Sequence, residues 1–407
     1  MSIARESIIN IRGDIERMKK KVVFLITGLY YGGMERVVFI AYNLLKEHYD
    51  ISVVTLYANE ADYTPDFEYI DLNCPPKSGK IPKALNIAKR TNAVRKMKKE
   101  INPDIVMSFG TSANFANVAS KGKEKVVVGI RSYDWLTNYF ATYSIDKWTY
   151  NKADMVVSVS KVIAEEAERV FKLEKSKSKV LYNPYDVNYI REKAKEEITE
   201  IGVLNNNKTL ISVGRLVNQK GFNHLIKAFS LVLNDFPDVQ LLIVGHGDKE
   251  TQLRRLIKDL GLESNVILMG GQENPYKFMK HSDLYVLSSL TEGFPNAMVE
   301  AMSVGLPILA VDCKSGPREI LSLSDHSTEA QGLEKCEYGV IVPEVSKSFD
   351  YDASNLEDCD YDLANGMKAF LSNSDLLEQY SNKSYERAQK FTYEEFKNNL
   401  IRIFDSL

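Results

Sequence analysis

The feature that most constrains this chain is an alternation of short apolar runs with helical segments, which occurs twice along the sequence. Val22–Thr27 is a continuous apolar run of strand length, followed by a glycine-containing turn, a helical segment and a second strand at Ile51–Tyr57. Continuous apolar strands are typical of parallel sheets that helices cover on both faces. Because the alternation resumes at Thr209, we expect two Rossmann-like, doubly wound α/β domains facing a central cleft.

Composition shifts mark the expected domain boundaries. Lys19–Lys21 leads directly into the first strand, and the polar run Asn205–Asn207 precedes the second domain. The polar segments 322–336 and 346–360 predict surface insertions. The expected organisation is an N-terminal extension at 1–17, a first domain at 18–185, a linker at 186–207, a second domain at 208–375 and a C-terminal helix at 376–407 that packs back on the first domain.

The bulk composition is that of an enzyme from a reducing compartment. Hydrophobic residues make up 44% of the chain and charged residues 26%, as in ordinary globular domains. The four cysteines are far apart, with no paired spacing that predicts a disulfide framework or a zinc site. No apolar run approaches the roughly 18 residues that span a bilayer, and no secretory signal is evident. We therefore expect a cytoplasmic protein, at most peripheral on the inner face of the membrane.

Residues that follow strands deserve attention, because ligands of open α/β sheets bind beyond the carboxyl ends of the strands. Gly32 and Gly33 follow the first strand in the segment GLYYGGMER and open a helix, so their amides can face a phosphate. Close packing is an equally open explanation of this turn. The turn lacks the GxGxxG spacing and the distal acidic residue of nicotinamide-binding domains, which disfavours a dehydrogenase.

A second such place follows the strand that ends at Val213. Gly214 and Arg215 come directly after this strand, and Lys220 lies five residues beyond the arginine. The guanidinium fork matches phosphate oxygens and the lysine supplies a mobile point charge, so the pair suits a diphosphate. Both cations would stabilise the charge that develops on a departing phosphate. Two surface cations around a turn are the alternative.

The most specific segment is Glu292–Glu300, which reads EGFPNAMVE and places two carboxylates eight residues apart. Pro295 suits the first turn of a helix. The amides at this helix start would point outward, ready for phosphate or sugar oxygens. They belong to Gly293, Phe294, Asn296 and Ala297. We expect Glu292 to hold a sugar and Glu300 a ribose, whereas simple capping of a solvated helix is the alternative.

Together, GGMER, GRL with the downstream KG, the carboxylate spacing and the trailing AMSVGLPILA resemble the family 4 retaining glycosyltransferases of GT-B fold. The resemblance covers nearly the whole chain from Lys19 and is strongest in residues 209–320. It implies that a sugar is transferred with retention from a nucleotide-diphosphate donor by a front-face mechanism, without a covalent nucleophile and without a cofactor. It assigns the donor diphosphate to Arg215 and Lys220.

The same resemblance assigns further roles. Glu300 would bind the ribose and Glu292 the transferred sugar, with Gly32 and Gly33 closing from the opposite domain. The base would lie against the loop from Gly270 to Tyr276. We expect no metal ion, because the donor region has no DxD motif and no histidine–carboxylate cluster. The preferred donor is a UDP-linked hexose or N-acetylhexosamine.

The acceptor side departs from the family pattern. Many members place a histidine near the donor sugar, yet none of the five histidines of this chain lies between residues 100 and 135. We expect Asn114 and Arg131 to serve instead, as in transferases that build polysaccharides on lipid diphosphate. The expected acceptor is a hydroxyl of a glycan or of a polyprenyl-diphosphate-linked glycan, in bacterial surface or capsular polysaccharide synthesis.

A basic stretch suggests contact with an anionic membrane. Residues 77–99 contain nine Lys or Arg and no acidic residue, and residues 1–185 carry a net charge of +8 against −11 for the remainder. Ile81, Leu85, Ala88, Met97 and Ile101 add a partial apolar stripe. Basic and apolar faces side by side suit an anionic bilayer. An ordinary solvated helix is the alternative, and nucleic acid is disfavoured because no aromatic residues are interleaved.

Two other classes of function remain open at this stage. A UDP-sugar epimerase or hydrolase could use the same scaffold, since a fold does not determine a function. Such an enzyme needs acid and base groups on both sides of the sugar, which a first domain poor in histidine disfavours. A non-catalytic protein that binds nucleotide sugars is the third class. Release of UDP that depends on an acceptor would distinguish transfer from hydrolysis.

Overall fold

The computed structural model describes residues 19–29, 33–58, 67–76, 79–133, 143–199, 208–323 and 329–407, without the side chains of residues 80–83. The described residues up to Ile130, together with those of Thr142–Val157 and Ile401–Leu407, form one compact unit. The described residues of Arg131–Ala141 and Ser158–Leu400 form a second. The predicted N-terminal extension, residues 1–17, lies outside the described part.

The first sheet has seven strands in the order β3-β2-β1-β4-β5-β6-β7. Its strands are β1 (Lys21–Ile26), β2 (Asp50–Thr55), β3 (Tyr69–Asp71), β4 (Ile105–Phe109), β5 (Lys125–Ile130), β6 (Met155–Ser158) and β7 (Ser178–Val180). The described helices between them are α1 (Gly33–Leu45), α2 (Lys80–Ile101), α3 (Thr111–Ala119), α4 (Tyr143–Lys152) and α5 (Lys161–Phe171). The pairs from β3 through β5 are parallel, and β1 at their centre is buried from Val22 to Ile26.

The second sheet also has seven strands, in the order β10-β9-β8-β11-β12-β14-β13. These are β8 (Thr209–Val213), β9 (Gln240–Val244), β10 (Val266–Gly270), β11 (Leu284–Leu287), β12 (Ile308–Val311), β13 (Glu334–Lys335) and β14 (Val340–Val342). Every pair is parallel except β13 with β14. The direction in which successive strands are added to the sheet reverses between β8 and β11. Ligands of doubly wound sheets bind at such a reversal.

The helices of the C-terminal half follow the expected alternation. They are α6 (Val187–Lys193), α7 (Phe222–Val232), α8 (Glu250–Asp259), α9 (Tyr276–Lys280), α10 (Asn296–Ser303), α11 (Pro317–Leu321), α12 (Asp358–Leu371), α13 (Ser374–Ala388) and α14 (Tyr393–Asp405). Helix α6 falls within the segment predicted as a linker, and it buries Val187 and Ile190. Residues 200–207 of that segment lie outside the described residues.

Most strands lie where the apolar runs of the sequence predict them, and the predicted C-terminal helix needs correction. Six strands match these runs residue for residue, namely β4, β5, β6, β8, β9 and β11, whereas β3, β13 and β14 are short and were not predicted. The predicted single C-terminal helix is divided at Thr392 into α13 and α14 by a short 3-10 turn. Phe404 near its end packs against Phe24, with ring centroids 6.5 Å apart.

The segment 346–360 is not simply a surface insertion. The main-chain oxygen of Ser346 lies 3.1 Å from Nε2 of His224, and the side chain of Asp360 is fully buried 2.7 Å from Nδ1 of the same ring. Lys227 donates to the main-chain oxygen of Asn355 at 2.8 Å. Helix α7 therefore anchors both ends and the middle of this segment.

The basic helix α2 is only partly a surface. Arg90 and Lys98 are buried: the arginine donates to the main-chain oxygen of Cys74 at 2.9 Å, and the lysine pairs with Glu124 at 2.7 Å. Met97 also belongs to the core, so the predicted apolar stripe does not form one face. Within the described ranges, no helix is both long and apolar enough to cross a bilayer.

Candidate active site

The loop after β8 begins at the carboxyl end of an interior strand of the second sheet. Arg215 is exposed, and its side chain makes no hydrogen bond or ion pair with the described part of the chain. A Cβ at Gly214 would lie 3.3 Å from Cδ and Cε of Lys220, so the glycine leaves room for the stem of the lysine. The sequence-predicted pair of cations thus lies on one short loop, with its arginine available to a ligand.

Lys220 and Glu292 are the closest charged pair of the site. The lysine Nζ lies 2.6 Å from Oε1 of Glu292, with side chains 22% and 10% exposed. The next residue, Gly221, has a φ of 62°, and a Cβ there would lie 2.1 Å from the main-chain oxygen of Ser288. Ser288 in turn donates through Oγ to the main-chain oxygen of Lys220 at 2.9 Å. The end of β11 therefore holds the lysine loop in place.

Helix α10 begins without a side-chain cap. Its N-cap is Pro295, and no side chain accepts from its first turn. The amides of Gly293, Phe294, Asn296 and Ala297 have no hydrogen-bond acceptor within the described residues. Uncapped amides at a helix start bind anions, and the helix dipole adds to the attraction. Because Met298 and Val299 are fully buried, the alternative of capping on a solvated helix is wrong.

Two glycines allow the turn before α10 to be tightly packed. A Cβ at Gly293 would lie 2.3 Å from the main-chain oxygen of Arg131, and one at Gly316 would lie 2.5 Å from Cδ of Pro295. Ser315 donates through Oγ to the main-chain oxygen of Gly293 at 2.8 Å. Larger residues would displace the turn, so its glycines keep Glu292 and the free amides in register.

Glu300, predicted to bind the ribose, is in contact with Tyr276, which ends the loop predicted to face the base. The hydroxyl of Tyr276 lies 3.4 Å from Oε1 of Glu300, which is 7% exposed. Gly270, at the end of β10, has a φ of 68° and starts the loop that leads to Tyr276. Burial raises the pKa of the enclosed Tyr285, and the charges of Glu292 and Glu300 raise it further. The two carboxylates therefore act on one common interior region.

Sequence reasoning missed the loop after β9. Its Gly245 has a φ of 147°, and a Cβ there would lie 1.9 Å from the main-chain oxygen of Gly214. A Cβ at Gly247 would lie 2.3 Å from the main-chain oxygen of Leu216. The pattern glycine-any-glycine directly after a strand, here with His246 between the glycines, was the available signal. This loop therefore packs closely against the main chain on either side of Arg215.

Arg131 begins a chain of side-chain hydrogen bonds that ends at helix α10. Its Nη2 donates to Oδ1 of Asn183, and Nδ2 of Asn183 donates to Oδ1 of Asn296 at 2.7 Å. The hydroxyl of Tyr185 donates to the same Oδ1 at 2.6 Å. Burial lowers the pKa of Arg131 to about 10. Contact of Arg131 with an acceptor stays a prediction.

Asn114 is placed in the interior of the first unit. Its Oδ1 accepts from Ser108 at 2.9 Å and its Nδ2 donates to the main-chain oxygen of Gly129 at 2.9 Å, so it ties β4 to β5. It is 2% exposed, a location that gives no support to the predicted contact with the acceptor. Gly33 is exposed at the start of α1, while Gly32 lies outside the described residues.

Among the described residues, the structure brings together one cluster of possible metal ligands that the sequence did not indicate. One ligand atom each from His224, Cys359 and Asp360 lie within 4.8 Å of one another. Both ring nitrogens of His224 already face hydrogen-bonding oxygens, Nδ1 the carboxylate of Asp360 and Nε2 the main-chain oxygen of Ser346. A ring nitrogen that holds a proton cannot ligate a metal, so this set fits a structural pair better than a metal centre.

Comparisons with known proteins agree with this geometry. The family model for glycosyl transferases group 1 matches residues 194–328, and the model for glycosyltransferase family 4 matches residues 31–189. An uncharacterized glycosyltransferase of Methanocaldococcus jannaschii is 31% identical over 328 residues, which cover 76% of this chain and 80% of that protein. The N-acetylgalactosamine-N,N'-diacetylbacillosaminyl-diphospho-undecaprenol 4-alpha-N-acetylgalactosaminyltransferase of Campylobacter jejuni is 28% identical over 385 residues, covering 91% and 96% of the two chains.

Solved structures support the same fold. The crystal structure of HepE from Anabaena in complex with UDP matches with a TM-score of 0.75 at 19% identity, covering 95% of this chain and all of that one. Two doubly wound parallel sheets are the architecture that this neighbour shares with the present chain. The chain therefore belongs to the family 4-type glycosyltransferases and has the GT-B fold.

Proposed function

We propose that this glycosyltransferase takes a hexose or N-acetylhexosamine from a UDP-sugar and transfers it, with retention, to a hydroxyl of a glycan or lipid-linked acceptor in surface polysaccharide synthesis. The observation that carries the proposal is the arrangement of Arg215, the Lys220–Glu292 pair and the uncapped start of α10 beyond the ends of β8 and β11. Two cations and a helix start are the groups that bind a diphosphate.

Each part of the site has a role in this proposal. Arg215 and Lys220 hold the diphosphate and stabilise its charge as the glycosidic bond breaks. Glu300, next to Tyr276, accepts from the ribose hydroxyls. Glu292 can turn from the lysine to the hydroxyls of the transferred sugar when the diphosphate takes its place.

Retention and metal independence are parts of the proposal that rest on the charges of the site. Glu292 is engaged by Lys220 before the donor binds and by the hydroxyls of the sugar afterwards, so it is not left to act as a nucleophile. We infer that the departing phosphate accepts the proton of the acceptor hydroxyl on the same face of the sugar. The two cations neutralise the leaving group in place of a divalent ion. EDTA should therefore leave the rate unchanged, and NMR of the product should show the anomeric configuration of the donor.

The acceptor class is proposed from the relatives. The Campylobacter relative is named for a saccharide on diphospho-undecaprenol. The region in which this relative matches the present chain covers nearly all of both proteins. A lipid-linked saccharide offers a hydroxyl to the site while its diphosphate stays at the membrane. We extend this class of acceptor to the present chain.

The test is release of UDP from a panel of UDP-hexoses and UDP-N-acetylhexosamines, with and without a membrane extract that supplies lipid-linked saccharides. We expect one donor to be consumed only in the presence of the extract. Equal release without an acceptor would favour a hydrolase, and loss of the input UDP-sugar to an isomer without release of UDP would favour an epimerase.

We further propose that helix α2 contacts an anionic membrane, through a narrower surface than the sequence predicted. Leu85 is 66% exposed and Ile87 is 46% exposed near the start of the helix, and exposed Lys89, Lys96 and Lys99 follow along it. Each cation near an anionic surface contributes about 1 kcal/mol. Arg90 and Lys98 do not take part because they are buried.

Sedimentation with vesicles tests this surface. A variant with Lys89, Lys96 and Lys99 changed to Glu should lose binding to vesicles that contain phosphatidylglycerol, whereas Lys123, Lys175 and Lys179 changed to Glu should bind as the wild type does. Equal binding by wild type and the α2 variant, or equal binding to neutral vesicles, would contradict the proposal.

A further inference from the structure

The hydrogen bonds that link the side chains of Arg131, Asn183 and Asn296, here called the relay, run in one donor-to-acceptor direction. Arg131 carries only N–H donors, so Asn183 must present its carbonyl oxygen to the guanidinium. The amide nitrogen of Asn183 then faces Asn296, which must present its own carbonyl oxygen. The arginine, which cannot accept a hydrogen bond, thus determines the orientation of both asparagine side chains.

Asn296 is left with its amide nitrogen turned away from this chain. Its Oδ1 receives two donors, from Asn183 at 2.7 Å and from Tyr185 at 2.6 Å. Its Nδ2 has no acceptor among the residues that the structure describes, and the side chain is only half-buried at the first position of α10. The two N–H groups of this nitrogen are therefore available to a bound molecule.

The arginine behind the relay is itself incompletely satisfied. Nη1 of Arg131 is buried and has no hydrogen-bond partner in the described structure. Its main-chain oxygen packs against Gly293, in the turn that carries Glu292. Burial of a guanidinium with an unpaired N–H group costs free energy. The contacts that Arg131 does make are with Asn183 and with the turn before α10.

We propose that Asn296 is a specificity-determining residue of the donor site, whose Nδ2 donates to an oxygen of the transferred sugar, and that Arg131 and Asn183 are positioning residues that impose this orientation. The proposal rests on the proposed function. Asn296 lies between Glu292, assigned to the sugar, and Glu300, assigned to the ribose, and it starts the helix whose amides face the diphosphate. A donor at this point selects for a sugar with an acceptor oxygen there.

The experiment measures dissociation constants for UDP and for the UDP-sugar that the release assay identifies, by isothermal titration calorimetry. In Asn296→Asp a carboxylate still accepts from Asn183 and Tyr185 but presents an oxygen where the amide nitrogen was. In Asn183→Asp the new carboxylate can only accept, so Asn296 must turn its nitrogen inward and its oxygen toward the ligand. Asn382→Asp, at an exposed position of α13, is the matched control.

We expect both site variants to weaken binding of the UDP-sugar about three- to tenfold more than binding of UDP, because the lost hydrogen bond concerns the sugar alone whereas the added carboxylate charge acts on the diphosphate of both ligands. In an Asn296→Ala background, Asn183→Asp should add nothing to this ratio, because the two residues act in one chain. Thermal melts without ligand should show that each variant is folded, and Asn296→Leu replaces any variant that is not.

Three results would overturn the proposal. Equal weakening of UDP and UDP-sugar would place the side chain at the nucleotide or give it only a structural role. An unchanged affinity for the UDP-sugar in both variants would show that Asn296 does not contact the sugar. Additive effects of Asn296→Ala and Asn183→Asp would show that the two residues do not act through one chain of hydrogen bonds. A wild-type protein that binds neither UDP nor any UDP-sugar of the panel would refute the proposed function itself, and this inference with it.

Discussion

At the scale of single residues, the site is held ready by an ion pair within the protein. Lys220 is neutralised by Glu292, whose Oε1 lies 2.6 Å from the lysine Nζ. A diphosphate carries more negative charge than one carboxylate, so it competes for the lysine and leaves Glu292 to the sugar. Arg215 needs no such exchange, because its side chain is exposed and has no partner among the described residues.

Replacement of the lysine tests this exchange. We expect Lys220→Ala to lower kcat/KM for the UDP-sugar by about 10²- to 10³-fold, the effect of removing one group that stabilises the transition-state charge. The free energy of unfolding should fall by about 1 to 3 kcal/mol, since the buried carboxylate of Glu292 loses its partner, and the variant should stay folded. Lys208→Ala, which breaks the exposed pair with Asp283, is the control and should leave activity unchanged. A Lys220→Ala variant with wild-type kinetics would exclude the lysine from the site.

Two glycines allow the cost of a left-handed backbone to be measured separately from the cost of a steric clash. Gly221 and Gly261 have φ values of 62° and 67°, yet a Cβ at Gly221 would lie 2.1 Å from the main-chain oxygen of Ser288, whereas at Gly261 nothing lies within 4 Å. Gly261→Ala should cost about 1 kcal/mol, the price of a left-handed backbone alone. Gly221→Ala should cost about 2 kcal/mol more and also weaken binding of UDP, because the lysine loop must move. Urea denaturation measures both, and equal losses would contradict the crowding argument.

At the scale of elements, α7 is joined to the segment before α12 by a buried histidine. Burial by itself lowers the pKa of His224, but the hydrogen bonds to Asp360 and Cys359 and the charge of Asp360 outweigh it and raise the pKa to about 10. The folded protein thus keeps His224 charged at pH values where the unfolded chain, with a pKa near 6.5, releases the proton. The contribution of this pair to stability is complete below about pH 6.5 and is lost as the pH rises through about 10.

His224→Gln tests this dependence on pH. At pH 6 the variant should be less stable by about 3 to 5 kcal/mol, because Asp360 is left buried without its partner. The difference in unfolding free energy between wild type and variant should shrink steadily from pH 7 to pH 10. A difference that stays constant over this range would mean that His224 is not the group that titrates.

The elements show which parts of the fold the sequence could reveal. Strands such as β4 and β8 are continuous apolar runs, so their bounds follow from composition alone. β3 is exposed along its length and β13 has only two residues, so neither carries an apolar signal. The division of the C-terminal helix at Thr392 could not be predicted, because the pattern of apolar residues continues across the break.

The candidate site shows a similar limit. Arg215, Lys220, Glu292 and Glu300 could be predicted because each follows a strand or a helix start at a fixed spacing. The relay through Asn183 could not, since Arg131, Asn183 and Asn296 are far apart in the sequence and only the folded chain brings them together. The sequence also could not separate Arg90 and Lys98, which are buried, from the exposed lysines around them.

At the scale of the whole molecule, all the predicted donor groups after residue 208 lie in the second compact unit. The loops after β8, β10 and β11 supply them, near the place where the strand order of the second sheet reverses. Family membership establishes a glycosyltransferase, and this arrangement supports the proposal that its donor diphosphate binds in the second unit.

The most direct measurement is a crystal structure of the protein with UDP bound. We expect the guanidinium of Arg215 and Nζ of Lys220 within about 3 Å of phosphate oxygens, and the carboxylate of Glu300 at the same distance from the ribose hydroxyls. The lysine should have left Glu292. A complex in which Arg215 and Glu300 point away from UDP, with the Lys220–Glu292 pair intact, would contradict the account.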